Sequence, residues 1–193
     1  MILPDGYSDI PAGKIAAVVT HLEMTERPAH TATPSGPWTL RQVERPDLAW
    51  YRDLYRRVGE EWLWSSRIRA SDEKLAARLH HPLVETHALV ADGRDEGLLE
   101  LDFREGETCE IGMFGVTAKL VGTGAGRWLM HRALELSWSR PIRRLWLHTC
   151  SFIRQHCRST SAPASARSAG RSRWRMTPAS TAPRRATWRG TCR

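Results

Sequence analysis

The sequence predicts an α+β (mixed α/β) fold, in which a central mixed sheet is flanked by helices. Two kinds of segment support this prediction: short β-branched and apolar runs, and longer runs with apolar residues at helical spacing. Their order along the chain is β, α, α, β, β, β, α, β. These patterns fill residues 14–152, which we predict to form the folded core. Residues 1–13 are predicted to be a flexible N-terminus.

The first part of the core contains one strand and two helices. Lys14–Met24 is rich in β-branched residues and predicts a strand, whereas the Pro- and Thr-rich Arg27–Pro37 predicts a loop. Pro46–Val58 begins with Pro-Asp and then repeats apolar residues at helical spacing. Ser71 is an N-cap candidate for a second helix, which ends near Pro82.

Three consecutive strands follow, and short turns separate them. The strands are Val84–Ala91, Gly97–Phe103 and Thr108–Val116, with turn residues at Asp92-Gly93 and Glu105-Gly106. Connections this short join antiparallel neighbours, so the segment predicts a three-stranded meander.

One further helix and one further strand complete the core. Ala125–Trp138 carries a wide apolar stripe and predicts a helix, which Pro141 terminates. Arg143–Thr149 predicts a strand. Because a helix lies between this strand and the preceding one, we expect the two strands to be parallel.

The charge of the chain is concentrated in its last 41 residues. The net charge is +8, but residues 1–152 hold 19 Lys and Arg against 21 Asp and Glu, whereas residues 153–193 hold ten Arg and no acidic residue. This tail also lacks Leu, Val, Phe and Tyr, and it has neither helical periodicity nor strand alternation. It therefore predicts a disordered basic segment.

Composition and spacing argue against several other classes of protein. No apolar run is long enough to cross a membrane, and the N-terminus lacks the pattern of a secretory signal. The four cysteines, at positions 109, 150, 157 and 192, match no metal-binding spacing. We therefore predict a cytoplasmic protein with free thiols, no membrane partner and no bound metal ion.

A glycine-rich turn separates the strand Thr108–Val116 from the helix that begins at Ala125. Its sequence, VGTGAGR, differs from a Walker A loop and from the GxGxxG motif. Glycines let the backbone approach a phosphate, and the first amides of the following helix can bind it. From spacing alone, two interpretations stay open: a phosphate-binding loop, and a tight turn without a ligand.

Residues Val84 to Cys150 resemble the GNAT superfamily of acetyl-CoA-dependent N-acetyltransferases. The resemblance is densest over EIGMFGVTAKLVGTGAGRWLMHRALELSW and RRLWLHTC. In that family a Q/R-x-x-G-x-G/A loop binds the pyrophosphate of coenzyme A. Here Val121 replaces the usual Gln or Arg, and Thr123 stands where a basic residue is common. The residues that would contact the pyrophosphate are Val121, Gly122, Thr123, Gly124, Ala125, Gly126 and Arg127.

The resemblance also implies a donor arm along a strand and a catalytic base. The backbone of Phe114, Gly115 and Val116 would pair with the pantetheine arm, beside a slot where this strand separates from Arg143–Thr149. Glu110 is the candidate base for the amine, and its alternative role is that of a solvent-facing strand carboxylate. Glu100 and Asp102 are weaker candidates for the base.

The acceptor side of such an enzyme would lie along the two helices between residues 46 and 81. Trp62, Trp64 and Arg67 connect those helices and could contact substrate, although buried aromatic anchors are commoner. His148 on the last predicted strand is expected to be a core histidine rather than a catalyst.

The tail also suggests an error of reading frame. In the family, the strand that matches Arg143–Thr149 precedes a helix with a Tyr acid and a final hairpin, and neither follows Cys150. One base can be restored before the codon of Ile153 and the gene read in the new frame. With codons chosen among those that encode the observed tail, the new frame gives a segment containing FYQRAGF and the strand-like QVEV. We hypothesise a single-base deletion after Phe152, which would leave the fold without its final helix and hairpin and Arg143–Thr149 as an unpaired edge. Sequencing the gene across the codons for Cys150 to Cys157 tests this.

The function implied by the resemblance is direct transfer of an acetyl group from acetyl-CoA to a primary amine of a small molecule or a peptide. Two alternatives stay open. One is non-specific nucleic-acid binding through the arginines of the tail. The other is an inactive remnant of an acetyltransferase. The sequence leaves the acceptor undefined, and it also leaves open whether the chain forms a homodimer.

Overall fold

The computed structural model describes residues 17–29, 33–152 and 175–177. The chain divides into two compact units. The larger unit comprises residues 23–147. The smaller comprises residues 1–22 and 148–193, of which 17–22, 148–152 and 175–177 are described.

Seven strands, four helices and two single 3-10 turns are present in the described residues. The strands are β1 Ala17–Met24, β2 Thr39–Val43, β3 Val84–Ala91, β4 Arg94–Asp102, β5 Thr108–Val116, β6 Arg144–Phe152 and β7 Arg175–Thr177. The helices are α1 Leu48–Gly59, α2 Ser66–Arg69, α3 Asp72–Leu79 and α4 Ala125–Ser137, and the 3-10 turns are Glu60–Trp62 and Ala118–Leu120.

The larger unit is built on a mixed sheet in the order β2-β3-β4-β5-β6. The pairs from β2 to β5 are antiparallel, whereas β5 and β6 are parallel across α4. This arrangement confirms the predicted α+β fold, the meander and the parallel crossover. In the smaller unit the strands follow the order β6-β1-β7.

The core of the larger unit lies between the sheet and the helices α1 and α3. Both helices bury one apolar face, because their apolar residues recur every three or four positions. The buried cluster is Tyr51, Leu54, Tyr55, Val58, Leu75, Leu79, Ala88 and Leu98.

A β-bulge in β5 leaves space for a buried ion pair beside this core. Leu101 lies opposite Ile111 and Glu100 opposite Met113, so Gly112 is an extra residue in β5. A Cβ at Gly112 would lie 2.9 Å from both Arg78 Nη2 and Glu100 Oε1. Only glycine fits beside this ion pair without displacing it.

The N-terminus of α1 is capped by Asp47. Its carboxylate accepts hydrogen bonds from the amides of Ala49 (3.0 Å) and Trp50 (2.9 Å), which have no acceptor within the helix. Ser71 caps α3 more weakly, since its Oγ is 3.4 Å from the amide of Lys74.

We expect Asp47→Ala to lower the free energy of unfolding by about 1 kcal/mol, because it removes two hydrogen bonds to otherwise unpaired amides. Ser71→Ala should lower it by less, because its bond is longer. Urea unfolding of both variants measures the difference. Equal losses in the two variants would contradict this reading of the caps.

Three sequence-based expectations require correction. The strand at Arg143–Thr149 is not an unpaired edge, because β6 lies between β5 and β1 in the sheet. Within the larger unit Glu23 of β1 also accepts a hydrogen bond from Arg144 Nε at 2.8 Å. The sequence predicted β1 as a strand but did not predict that β1 is the neighbour of β6 in the sheet.

The other two corrections concern strands that the sequence pattern did not indicate. No strand was predicted at Thr39–Val43, where Arg and Gln interrupt the apolar residues, yet β2 pairs along its length with β3. The tail was expected to contain no strand, yet β7 forms at Arg175–Thr177, since backbone pairing needs no apolar pattern. The other predictions for the tail, disorder and a changed reading frame, fall outside the described residues, as does the prediction for residues 1–13.

Candidate functional site

The pairing of β5 with β6 ends partway along both strands. The parallel ladder joins Thr108 to Arg144 and Glu110 to Trp146, with one pair between them. In the described part of the larger unit no pair follows, so Ile111–Val116 extends beyond the ladder. Phe114, Gly115 and Val116, predicted to pair with a donor arm, form the last three residues of this extension.

The glycine turn follows the end of β5 and leads into α4. Gly122 and Gly124 adopt φ angles of +81° and +97°, a region that side chains rarely enter, so both positions require glycine. Gly124 is the N-cap of α4 and has no side chain to occupy the first amides of the helix. The amide of Ala125 donates to Thr123 Oγ1 at 3.3 Å.

The first turn of α4 has backbone amides at its N-terminal end. Helix geometry leaves the N–H groups of Gly126 and Arg127 without an acceptor inside α4. A Cβ added at Gly126 would meet no atom within 4 Å, so open space adjoins this backbone. Together with the positive end of the helix dipole, these amides form a surface able to bind an anion.

A cleft of about 150 Å³ lies between the end of α1, the end of β5 and the glycine turn. Its apolar wall includes two exposed side chains, Trp62 (61%) and Val121 (64%). The full lining is Arg56, Arg57, Val58, Glu60, Glu61, Trp62, Val116, Ala118 and Val121. The cleft thus joins the predicted acceptor helices to the predicted cofactor loop.

Glu110 is the last residue of β5 in the ladder with β6. It pairs with Asp102 across the antiparallel side and with Trp146 across the parallel side. Its side chain is half-buried. The pKa of Arg104 is raised chiefly by the hydrogen bond with Asp102, and the charge of Glu110 adds to this effect. Glu110 therefore lies where the two strands cease to pair, about 20 Å along the strand from Val116.

Glu100 and Asp102 belong to a buried network of ion pairs. Glu100 Oε1 is 2.9 Å from Arg67 Nη2 and 2.5 Å from Arg78 Nε, while its other oxygen accepts the Tyr51 hydroxyl at 2.7 Å. Asp102 is paired with Arg78 at 3.2 Å and with Arg104 at 2.6 Å.

The electrostatics of this network oppose a role as general base. Burial alone would raise the pKa of Glu100, but Arg67 and Arg78 together with the hydrogen bonds hold the pKa below its ordinary value. The pKa of Asp102 is lowered too, against the effect of burial, by its bonds with Arg104. A fully buried carboxylate with a lowered pKa is suited to structural ion pairing rather than to accepting a proton.

The three candidates for the acceptor side, and His148, have different surroundings. Trp62 is exposed in the cleft, whereas Trp64 packs against Tyr55 with ring centroids 5.3 Å apart. Arg67 is held by Glu100, as described. The expectation of a core histidine at 148 is wrong: His148 is exposed, and its ring lies 5.9 Å from that of His21.

The thiols of the described residues are unpaired cysteines. Cys109 is fully buried, and burial is the main cause that raises its pKa to about 12. Cys150 is exposed, and partial burial of its sulfur still raises its pKa. Neither is an activated nucleophile at neutral pH. Cys157 and Cys192 lie outside the described residues.

Two parts of this arrangement were missed by sequence reasoning. The 3-10 turn Glu60–Trp62 that closes the cleft follows α1 without a break in the sequence pattern. Arg56 and Arg57 resemble ordinary basic residues of a helix end, and only their position shows that they line the cleft.

No helix in the described residues has both the length and the apolar character needed to cross a membrane.

Solved structures with a similar fold include two acetyltransferases. An aminoglycoside acetyltransferase from an uncultured soil metagenomic sample is 12% identical; the match covers 57% of this chain and 76% of that one, with a TM-score of 0.48. The ribosomal-protein-S18-alanine N-acetyltransferase from Escherichia coli is 16% identical over 57% and 65% of the chains, with a TM-score of 0.46.

A functionally unknown conserved protein from Staphylococcus epidermidis has a TM-score of 0.50 at 12% identity. The match covers 71% of this chain and about half (52%) of that protein. No protein-family model matches the chain, and no curated protein has significant similarity to it. At these identities the likeness concerns the fold alone.

Proposed function

We propose that the chain is built as an N-acetyltransferase that transfers an acetyl group from acetyl-CoA to a primary amine. One observation carries the proposal. A glycine turn opens onto the first amides of α4 directly after a strand whose last six residues extend beyond its parallel neighbour. The strand edge beyond the ladder and the amides at the start of α4 thus follow one another along the chain, which supports a phosphate-linked donor with an extended arm.

The donor would bind through the backbone rather than through side chains. The amides of Gly126 and Arg127 would receive the pyrophosphate, where the open space at Gly126 allows close approach. The pantetheine arm would then run along Phe114–Val116 toward the end of the ladder at Glu110. Val121 supplies no charge to the phosphates, so we expect the affinity to depend mainly on these amides.

The chemistry follows from this placement of the donor. A neutral amine attacks the thioester carbonyl carbon, a C–N bond forms, the C–S bond breaks, and the thiolate leaves with the electron pair and then takes up a proton. Glu110 is the proposed group that accepts the proton of the amine. Glu60, Glu61 and Trp62 line the cleft beside Val116 and Val121, about 20 Å along β5 from Glu110, so the cleft is proposed to adjoin the pyrophosphate end of the donor and not the reacting amine.

Turnover of acetyl-CoA with a panel of small amines and N-terminal peptides tests the proposal, with the release of free thiol as the measurement. We expect activity with at least one amine, and a loss of about a hundredfold in kcat for Glu110→Gln, as is typical when a general base is removed. Glu107→Gln, an exposed carboxylate paired with Arg143 at 2.9 Å, is the matched control and should leave kcat unchanged. Absence of both binding and turnover of acetyl-CoA would refute the function.

A further inference from the structure

Glu96 of β4 is a buried carboxylate outside the Glu100 network. It is 4% exposed, and its Oε2 accepts a hydrogen bond from the Thr117 hydroxyl at 2.7 Å. Its backbone oxygen accepts the Thr117 amide at 2.8 Å. Thr117 is therefore attached to one residue through both its main chain and its side chain. A carboxylate is costly to bury unless it is paired in this way.

Thr117 lies at the junction between β5 and the glycine turn, and a chain of hydrogen bonds leads from it to α4. The carbonyl of Thr117 accepts the amide of Leu120 at 2.9 Å. The carbonyl of Leu120 accepts both the amide (3.3 Å) and the hydroxyl (2.8 Å) of Thr123. Thr123 Oγ1 in turn accepts the amide of Ala125 at 3.3 Å. The buried carboxylate is thus linked to the first residue of α4.

Arg57 connects the same carboxylate to α1. Its Nη1 is 3.4 Å from Glu96 Oε2 and donates to the carbonyl of Asp95 at 2.9 Å, while its Nε donates to Asp53 at 2.8 Å. The more exposed Arg94 lies 3.8 Å from the other oxygen of Glu96. Because Arg57 lines the cleft, Glu96 fixes two of its walls: α1 through Arg57, and the glycine turn through Thr117.

We propose that Glu96 and Thr117 are positioning residues for the donor, because their hydrogen bond sets the orientation of the anion-binding amides at the start of α4. This inference rests on the proposed function of the glycine turn. Neither residue touches the reacting atoms. Their effect should therefore fall on donor binding and leave the chemical step unchanged.

Thr117→Val removes the hydroxyl with little change of shape, and Thr117→Ser keeps it. We expect Thr117→Val to raise the KM for acetyl-CoA and the Kd for coenzyme A about tenfold, because donor binding would then have to reorder the amides, at a cost of up to about one hydrogen bond to a charged group. The kcat at saturating donor and the KM for the amine should stay within about twofold. Thr117→Ser should restore donor affinity. Hydrogen exchange at residues 118–125 should be faster in Thr117→Val.

Thr86→Val is the matched control. Thr86 of β3 is also a buried threonine, but its hydroxyl has no hydrogen-bond partner among the described residues, so the same change of side chain should leave donor KM unaltered. Glu96→Gln, which keeps an acceptor for Thr117 but removes the charge near Arg57, is a second variant with an expected loss smaller than that of Thr117→Val. Thermal unfolding of each variant establishes that it is folded.

Acetyl-pantetheine, a donor without the pyrophosphate, separates the possible results. If the glycine turn is the target, Thr117→Val should change the KM for acetyl-CoA but not for acetyl-pantetheine. Equal losses with both donors, or a loss of thermal stability with unchanged donor affinity, would overturn the positioning role while leaving the proposed function intact. A wild-type chain that binds no coenzyme A would overturn both.

Discussion

Replacing Glu100 with Ala should lower the free energy of unfolding by about 3–5 kcal/mol, the cost of breaking a buried ion pair by removing one partner. Arg67 and Arg78 would keep their charges without the carboxylate that lies between them, and the Tyr51 hydroxyl would lose its acceptor. Urea unfolding at neutral pH measures the loss. A loss below about 1 kcal/mol would show that the network contributes little to stability.

A surface pair provides the control for this prediction. Asp92 is paired with Lys119 at 3.0 Å, and both side chains are largely exposed. Asp92 adopts a φ of +50°, which Asn tolerates well, so Asp92→Asn should change stability by no more than about 0.5 kcal/mol. Both variants remove one carboxylate from an ion pair, so a much larger loss in Glu100→Ala would show that the buried site contributes more to stability than the exposed one.

The same network predicts how stability depends on pH. The pKa values of Glu100 and Asp102 are lower in the folded chain than the ordinary values of 4.5 and 3.8. The unfolded chain therefore binds more protons as the pH falls through this range, and the stabilisation present above about pH 4.5 is lost below it. We expect the fall in stability between pH 5 and 3 to be smaller in Glu100→Gln than in wild type. Parallel curves would contradict the prediction.

Enlarging Gly126 should weaken donor binding without harming the fold. Leu at this position would project into the open space at the start of α4, where the pyrophosphate is proposed to bind. We expect Gly126→Leu to weaken coenzyme A binding about a hundredfold, because two hydrogen bonds from amides to phosphate would be blocked. Isothermal titration calorimetry provides the measurement.

Thermal unfolding distinguishes blocking from misfolding in this experiment. Leu and Ala are better helix formers than Gly, so both variants should unfold at the wild-type temperature or above it. Gly126→Ala adds one methyl group and should weaken binding less than Gly126→Leu. A Gly126→Leu chain that is stable and binds coenzyme A as well as wild type would exclude the start of α4 as the phosphate site.

Local patterns were sufficient for most elements of the larger unit. Thr108–Val116 was predicted with its observed bounds, and α4 to within one residue, because alternation and helical spacing report which face is buried. The positive φ angles of Gly122 and Gly124 also follow from the residue type. The sequence did not predict β2, because its pairing with β3 depends on backbone hydrogen bonds and a short strand with polar side chains has no distinctive sequence pattern.

The sequence by itself determined the α+β class, the meander, the parallel crossover and the glycine turn, since each depends on residues close together in the chain. The tertiary structure decided which carboxylates are buried. Glu96 and Glu100 are four residues apart in one strand, yet one is linked to the glycine turn and the other lies between two arginines from α2 and α3. Charge placement of this kind depends on partners 21 to 33 residues away in the sequence, which no local pattern encodes.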